Sequence, residues 1–410
     1  MKNIKLNFLD IFLIFILLIY IANATFILEI KTFTIIIFLI TFFLFLHKKK
    51  KFDKFVLWIL VYWTIINLLS LYLNNINNIK IYTLISSYIR ILIPYFIIKI
   101  INRNFFDKIF KVFFYISIIS FSFYVIDLIY PNFFQKIIKN INFFTQQEEK
   151  LAGGWYIFFY MHNAWAYTQY ITLKIFRNSG FMWEAGAYAM ILILLLSYYL
   201  IKNNYKWDKI AVIIVIFIIT TFSTAGYLAL LFIFYAYLYK KNKKKLLSFF
   251  IILPIIIFIT IQVYKIGFIS QKINIYLNMI DYHYYHKFSG IERVNRFGVF
   301  KYYLEQTFHN PLGNGIYDSY YLLKKYFVIY KGPNTFAQIL YRWGFGGFFI
   351  FLYSILKFYS FYTKNKIIIF LNFIALSIVL FSNPFLKFLV FSIIFFVYNE
   401  QKMSYLLKKE

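Results

Sequence analysis

Long apolar runs constrain the fold of this chain more than any other feature of its sequence. They recur between Phe8 and Val397, and a run of about twenty apolar residues crosses a hydrocarbon core roughly 30 Å thick. Solid apolar blocks such as "IILPIIIFITI" favour helices over the alternating segments of a closed barrel, because lipid offers the backbone no hydrogen bonds. We therefore predict an all-α integral membrane protein with a single polytopic domain over residues 1–410.

The spacing of the runs predicts about twelve transmembrane helices. We expect them near residues 8–23, 32–46, 55–73, 80–101, 107–129, 181–201, 209–222, 224–239, 246–266, 334–357, 366–382 and 384–399. Basic segments fall at every second connection, as cytoplasmic loops do: "HKKKKFDK", "KIINRNFFDK", "KNNYKWDK", "KKNKKK" and "KFYSFYTKNK". Both termini are then cytoplasmic, and two long segments form large outer loops that contain short helices, at residues 130–180 and 267–333.

The start of the chain resembles a secretory signal, with "ANA" at residues 22–24 as its cleavage site. Asp10 interrupts the apolar run and many runs follow, so we predict an uncleaved first helix.

The net charge of +29 would suggest a nucleic-acid partner in a soluble protein. Here Ile, Phe, Lys, Asn and Tyr are all abundant, and their codons are rich in A and T, so we read the position of the charges and expect no nucleic acid. The absence of cysteine excludes disulfides, thiolate metal sites and thiol catalysis. His283 and His286 lack an obvious third ligand, so we expect no metal and no cofactor.

The second outer segment contains the stretch "ERVNRFGVFKYYLEQTFHNPLGNG". "SGIE" at residues 289–292 has the spacing of a capping box, and "HNPLGNG" is typical of a helix end. We predict between them an extramembrane helix of about eighteen residues that presents Arg293 and Arg296 on one face. The alternative is a surface helix whose arginines are solvated or reach to the membrane interface.

Further charged residues mark the membrane boundary and two of the spans. Arg177 and Glu184 bracket the start of a membrane helix. There Arg177 could bind an anionic head group and Glu184 could accept a proton. The alternative is that Arg177 is an interfacial anchor and Glu184 a partner of the helix dipole. Arg90 and Arg342 lie within predicted spans, and Asp127 of the next helix is the acidic candidate nearest to Arg90. A charge there costs about 2.5 to 3.5 kcal/mol, which favours a functional role, although Arg342 alternatively reaches to the interface.

Two histidines of the outer segments, His162 and His309, are candidate general bases by residue type, with structural hydrogen bonding as the alternative. Several arginines and few acids at an outer face suit an anionic, lipid-linked substrate. Pyrophosphate fits well, because guanidinium binds phosphate through two hydrogen bonds and keeps its charge.

Three blocks of the sequence resemble the O-antigen polymerase and ligase superfamily. They are "FRNSGFMWEAGAYA", "RFGVFKYYLEQTFHNPLGNGIYDSY" and "GPNTFAQILYRWGFGGFFIFL", and the likeness covers roughly residues 170–360. The family's frequent "EP" is "EA" here, at Glu184 and Ala185. Pro333 stands where a histidine is common, which leaves Asn334 alone, and "FSTAGYLALL" lacks the usual arginine. Since ligases of the family depend on that histidine, the resemblance favours a polymerase.

The resemblance implies metal-independent glycosyl transfer between two undecaprenyl-pyrophosphate-linked glycans at the outer face of the bacterial inner membrane. It implies a glycosyltransferase whose donor and acceptor are such glycans, with membrane lipid and a chain-length regulator as partners. The implied catalytic residues are Arg177, Glu184 and Arg296, with the two arginines as a pyrophosphate clamp and Glu184 as the base. The implied substrate-binding residues are Arg90, Arg293, Arg342, Asn334, His309 and His162.

Three other functions stay open at the level of sequence. An O-antigen ligase belongs to the same superfamily. A flippase for lipid-linked oligosaccharides would line a central path with charges and keep its loops short. A dolichyl-phosphate-sugar type of glycosyltransferase would have acidic residues in the first outer loop, where only Glu29 occurs.

Overall fold

The computed structural model describes residues 6–22, 31–73, 81–101, 104–130, 133, 154–157, 160–163, 177–241, 286–288, 291–293, 296–315 and 334–382. Its helices are α1 (Phe8–Ala22), α2 (Lys31–His47), α3 (Lys54–Leu73), α4 (Ile81–Ile101), α5 (Phe105–Ile129), α6 (Ala185–Lys202), α7 (Lys209–Thr220), α8 (Thr224–Lys241), α9 (Arg296–His309), α10 (Thr335–Tyr362) and α11 (Lys366–Ser382). Its strands are β1 (Gly154–Ile157), β2 (Tyr160–Asn163), β3 (His286–Phe288) and β4 (Ile291–Arg293), which form two antiparallel hairpins.

The predicted membrane helices are confirmed as helices wherever the structure describes them, with ends that differ by a few residues. Two of the predicted helices, at residues 246–266 and 384–399, lie outside the described residues. Within the described chain, four helices are long and apolar enough to cross a membrane: α4, α5, α6 and α10. The protein is therefore α-helical and its long apolar helices indicate that it is embedded in a membrane.

The described elements belong to two compact units. The first unit contains α1, the β1–β2 hairpin, α5 to α8 and most of α11. The second unit contains α2 to α4, the β3–β4 hairpin, α9 and most of α10. The prediction of one polytopic domain stays a prediction.

Helix α6 is the core of the first unit, and nearly all of its side chains are buried. It runs antiparallel to α5, because Lys202 at its end forms an ion pair with Asp107 at the start of α5. The Tyr198 hydroxyl donates to the same carboxylate, and the rings of Phe110 and Tyr199 stack with centroids 5.0 Å apart. The start of α6 and the end of α5 consequently lie at the same end of the unit.

Helix α1 lies beside α5, and the starts of the two helices are in contact. Lys108 Nζ is 2.6 Å from the Asp10 carboxylate, and both residues are close to the starts of their helices. Asp10 is buried, so the carboxylate inside the first apolar run is held by an ion pair. The starts of α1 and α5 and the end of α6 therefore lie at one level of the unit.

In the second unit, α3 runs antiparallel to α4. Lys99 near the end of α4 pairs with Asp53 just before α3, at 2.8 Å. Further along, the hydroxyls of Thr64 and Tyr88 are 2.7 Å apart. Two polar contacts thus fix the register of these apolar helices.

Helix α10 is broken at Gly344, which has φ 64° and ψ −167°. The break frees the backbone N–H of Phe345, which donates to the Pro311 carbonyl at 3.0 Å. The two segments of the chain touch through their backbones. A Cβ on Gly344 would lie 2.1 Å from Pro311 O, and a Cβ on Gly313 would lie 2.4 Å from Gly344 N. Gly344 and Gly313 are both at positive φ, so glycine is required at each. We call this interlock of residues 310–315 with residues 341–345 the clasp.

The carbonyls that the break leaves without helical partners are satisfied within the clasp. Asn314 N–H donates to the Tyr341 carbonyl at 2.7 Å, and Gly315 N–H donates to the Arg342 carbonyl at 3.0 Å. A break in an apolar helix is tolerated when protein groups take over its hydrogen bonds in this way.

Helix α3 closes the clasp from a third side. The Tyr62 hydroxyl donates to the Trp343 carbonyl at 2.8 Å, and the rings of Trp63 and Trp343 stack with centroids 4.2 Å apart. Ser70 donates to the Asn314 carbonyl at 2.7 Å. The clasp therefore holds the end of α9 against two apolar helices.

The start of α9 differs from the prediction. Residues 291–293 form strand β4, in which Glu292 pairs with Lys287, so the predicted capping box and the helical face shared by Arg293 and Arg296 are wrong. The helix has 14 residues and begins at Arg296. The reason lies in the Ser-Gly dipeptide, which between two extended runs is equally typical of a hairpin turn. The predicted end at "HNPLGNG" is confirmed, because α9 stops at His309.

Candidate anion-binding site

Arg296 is the first residue of α9 and is partly buried. Its Nη1 donates to the Ser382 hydroxyl at the end of α11. Among the described residues, the guanidinium has no further hydrogen-bond partner. Guanidinium carries five N–H donors in a planar fork, so Arg296 keeps donors for another acceptor.

Asn334 joins the starts of two helices. Its Oδ1 accepts from the N–H groups of Phe336 and Ala337 at 2.9 and 3.3 Å, which makes it the N-cap of α10. Its Nδ2 donates to the Arg296 carbonyl at 3.5 Å. Asn334 is fully buried, so this side chain, predicted to bind substrate, here links α9 to α10.

The two helices run parallel from this junction to the clasp. Between them lies a small core of buried side chains: Val299, Tyr302, Tyr303, Ala337 and Tyr341. Because Asn334 at the start of α10 contacts the Arg296 carbonyl at the start of α9, the positive ends of two helix dipoles lie at the junction. Helix N-termini favour anions, and the junction therefore has the electrostatics of an anion-binding site.

In the first unit, Arg177 lies against the end of α7. Its Nε donates to the Thr221 carbonyl at 3.0 Å, and Asn178 N–H donates to the Thr220 carbonyl at 3.0 Å. A cation at a helix C-terminus is favourable, so Arg177 has a structural role as well as the predicted one. It also lies close enough to Tyr227 to interact electrostatically with its hydroxyl.

Glu184 directly precedes α6, and Asp127 lies in the last turn of α5. The Glu184 side chain makes no capping hydrogen bond and is partly exposed. Asp127 is buried, and its Oδ2 accepts from the Tyr160 hydroxyl of β2 at 2.7 Å. Burial, and then the Asp127 carboxylate, raise the pKa of Tyr160 well above its ordinary value.

The other predicted residues lie apart from these contacts. Arg90 is exposed on α4 and has no hydrogen-bond or ion-pair partner among the described residues. His309 is exposed at the end of α9, and Arg342 contributes its carbonyl to the clasp. Arg293 lies in β4 and His162 lies in β2, and for these two residues only the backbone is described.

The structure thus brings Arg296 and Asn334 into contact in the second unit. It keeps Arg177 and Glu184 before α6 in the first unit. The predicted roles of these residues in binding and catalysis stay predictions. Sequence reasoning did not assign Ser382 or Tyr160 to a site, and it considered Asp127 only as an acidic partner for Arg90. Only Asp127 carried a signal, as a carboxylate near the end of an apolar run.

Comparison with known proteins matched no family model, no curated protein and no solved structure.

Proposed function

We propose that this protein polymerises undecaprenyl-pyrophosphate-linked oligosaccharide repeat units, as a glycosyltransferase at the outer face of the bacterial inner membrane. One observation carries the proposal: Arg296 stands where the N-termini of α9 and α10 meet. The positive ends of two helix dipoles attract an anion there, and the remaining N–H donors of the Arg296 guanidinium can bind the oxygens of a diphosphate. The three sequence blocks that resemble O-antigen polymerases supply the class of diphosphate.

The proposal includes about twelve spans, cytoplasmic termini and two large outer loops. The ion pairs support this topology. Asp10 with Lys108, and Asp107 with Lys202, put the starts of α1 and α5 and the end of α6 at one level. Alternating spans would put the same three ends on the cytoplasmic side, next to the basic connections of the sequence.

In the proposed reaction a hydroxyl of the incoming repeat unit attacks the anomeric carbon of the growing chain, and undecaprenyl pyrophosphate leaves. Negative charge grows on the leaving group in the transition state. Fixed cations directed at it lower the barrier more than they stabilise the bound substrate. Arg296 supplies such a cation in the second unit, and Arg177 keeps the same predicted role in the first.

The proposal is tested with purified protein in lipid nanodiscs, supplied with a lipid-linked repeat unit and assayed for a glycan ladder. Arg296→Ala should reduce chain elongation by at least about 100-fold, the loss typical of one oriented donor at developing charge. Arg296→Lys should recover part of the rate, because lysine keeps the charge without the fork. Lys301→Ala is the matched control, since it removes an exposed positive charge from the same helix.

A normal ladder from folded Arg296→Ala would refute the proposal for this site. Transfer of finished chains to a lipid acceptor without lengthening would favour a ligase. Movement of repeat units across the membrane without any glycosyl transfer would favour a flippase.

A further inference from the structure

Asp127 occupies the opposite end of α5 from the Asp107–Lys202 ion pair. The two aspartates are about 30 Å apart along the helix, at a rise of about 1.5 Å per residue. Because α5 and α6 are antiparallel, Asp127 lies at the end of the unit where α6 begins and where Arg177 and Glu184 are found. A carboxylate and a predicted phosphate ligand therefore belong to the same end of one unit.

Tyr160 holds Asp127 in a defined orientation. Its hydroxyl donates to Oδ2 at 2.7 Å, and both side chains are 1% exposed. The ring of Phe123, one turn before Asp127, lies 6.4 Å from the Tyr160 ring, so packing on α5 fixes the tyrosine as well. A base oriented by a third group is the usual arrangement when a hydroxyl is to be activated.

Tyrosines lie near both this carboxylate and Arg177. Tyr124 interacts electrostatically with Asp127 on one side and with Tyr227 on the other. Tyr227 interacts in turn with Arg177. Asp127 and Arg177 thus each lie near a tyrosine hydroxyl of the first unit.

The buried face of α5 is polar along its second half. Ser117, Ser120, Tyr124 and Asp127 follow one another at helical spacing and all are buried. In the described chain, the Ser120 hydroxyl has no hydrogen-bond partner. Buried hydroxyls normally have a hydrogen-bond partner, so Ser120 keeps the capacity to bond a ligand hydroxyl.

We propose that Asp127 is the proton acceptor of the glycosyl transfer and that Tyr160 is its positioning residue. This inference rests on the proposed function. As the acceptor sugar's O–H bond breaks, the proton passes to the Asp127 carboxylate and the oxygen bonds to the anomeric carbon. The bond from that carbon to the pyrophosphate breaks, and its electron pair leaves with the undecaprenyl pyrophosphate.

The geometry favours Asp127 over Glu184, the carboxylate that the sequence suggested. Glu184 is partly exposed and its side chain makes no capping hydrogen bond, so water competes for it. Asp127 is shielded from water, and its carboxylate already accepts a hydrogen bond from the Tyr160 hydroxyl. A sugar hydroxyl would donate to the carboxylate in the same way.

The test uses four variants of the full-length protein in nanodiscs: Asp127→Asn, Asp127→Glu, Tyr160→Phe and, as a control, Glu305→Gln. Asparagine can still accept the Tyr160 hydrogen bond but cannot take a proton at neutral pH. We expect Asp127→Asn to keep its melting temperature and its binding of undecaprenyl pyrophosphate, and to lose at least about 100-fold in kcat, the usual effect of a general base. Asp127→Glu should restore part of kcat. Tyr160→Phe should lower kcat less and destabilise the protein more. Glu305→Gln should behave as wild type.

Three outcomes would overturn the inference. One is an Asp127→Asn variant that elongates chains at the wild-type rate. Another is an Asp127→Asn variant that fails to fold, since that would make the carboxylate structural. The third is a loss in undecaprenyl pyrophosphate binding that accounts for the whole loss of rate. Failure of the wild-type protein to elongate chains would instead refute the proposed function, so the two failures are distinguishable.

Discussion

Replacing Gly344 with alanine should open the clasp. The new Cβ would lie 2.1 Å from Pro311 O and 2.5 Å from Leu312 C, and both atoms belong to the backbone, so no side-chain rotation relieves the overlap. The φ of 64° adds about 1–2 kcal/mol for a residue with a Cβ. Moving Pro311 also costs its hydrogen bond from Phe345, about 1–3 kcal/mol for a buried donor left unpaired. Together these effects give a loss of about 2–5 kcal/mol in the free energy of unfolding.

Gly226→Ala is the matched control for this prediction. Gly226 lies in α8, where an added Cβ would meet Ala189 Cβ at 3.1 Å. A helical glycine gains about 0.5–1 kcal/mol on replacement by alanine, which offsets the tight contact. We therefore expect little change in stability from the control.

The assay for Gly344→Ala is thermal unfolding in detergent, followed by near-ultraviolet circular dichroism. The stacked rings of Trp63 and Trp343, 4.2 Å apart beside the clasp, should give a coupled aromatic signal that Gly344→Ala reduces. Equal melting temperatures for the two glycine variants, with the aromatic signal intact, would refute the reasoning.

Three further changes test the helix junction, the Asp107–Lys202 ion pair and the β1–β2 hairpin. Asn334→Ala should lower stability by about 0.5–2 kcal/mol through loss of the α10 cap, whereas Asn334→Asp should keep most of it in a melting experiment. Asp107→Asn should destabilise the first unit by less than the about 3–5 kcal/mol of a fully buried pair, because the Lys202 side chain is 34% exposed; the same melting experiment should show recovery when Asp107→Leu is combined with Lys202→Met. Because the pKa of Tyr160 is raised, the folded chain keeps a proton that the unfolded chain loses near pH 10.0. Its contribution to stability is full below that pH and is lost as pH rises through the folded pKa. Melting at pH 8 and pH 11 should therefore show a loss of stability that is smaller in Tyr160→Phe than in the wild type.

The positions of the long helices could be predicted from the sequence because a single local property decides them. A run such as the one that becomes α5 has to be helical in lipid whatever it contacts. The end of α9 could also be predicted from local sequence, because the proline and glycines after His309 exclude further helical turns.

The clasp and the start of α9 could not be predicted, because they depend on distant or competing partners. Gly344 lies between apolar residues that read as one continuous helix, and the turn that breaks it lies about thirty residues earlier in the chain. The "SGIE" spacing fits both a capping box and a hairpin, and the local pattern does not distinguish them. The same holds for Asp127, whose partner Tyr160 is on another element.

Helix α5 has a consequence for the membrane in which the protein works. Its Asp107 contacts Lys202 and its Asp127 contacts Tyr160, about 30 Å apart, which is close to the thickness of a typical hydrocarbon core. Because both contacts are to other elements of the first unit, α5 cannot tilt independently of them, and tilting is how a free span accommodates a thinner bilayer. We therefore expect the stability of the protein to depend on bilayer thickness. Its melting temperature in nanodiscs should be highest at one acyl-chain length and lower at shorter and longer lengths.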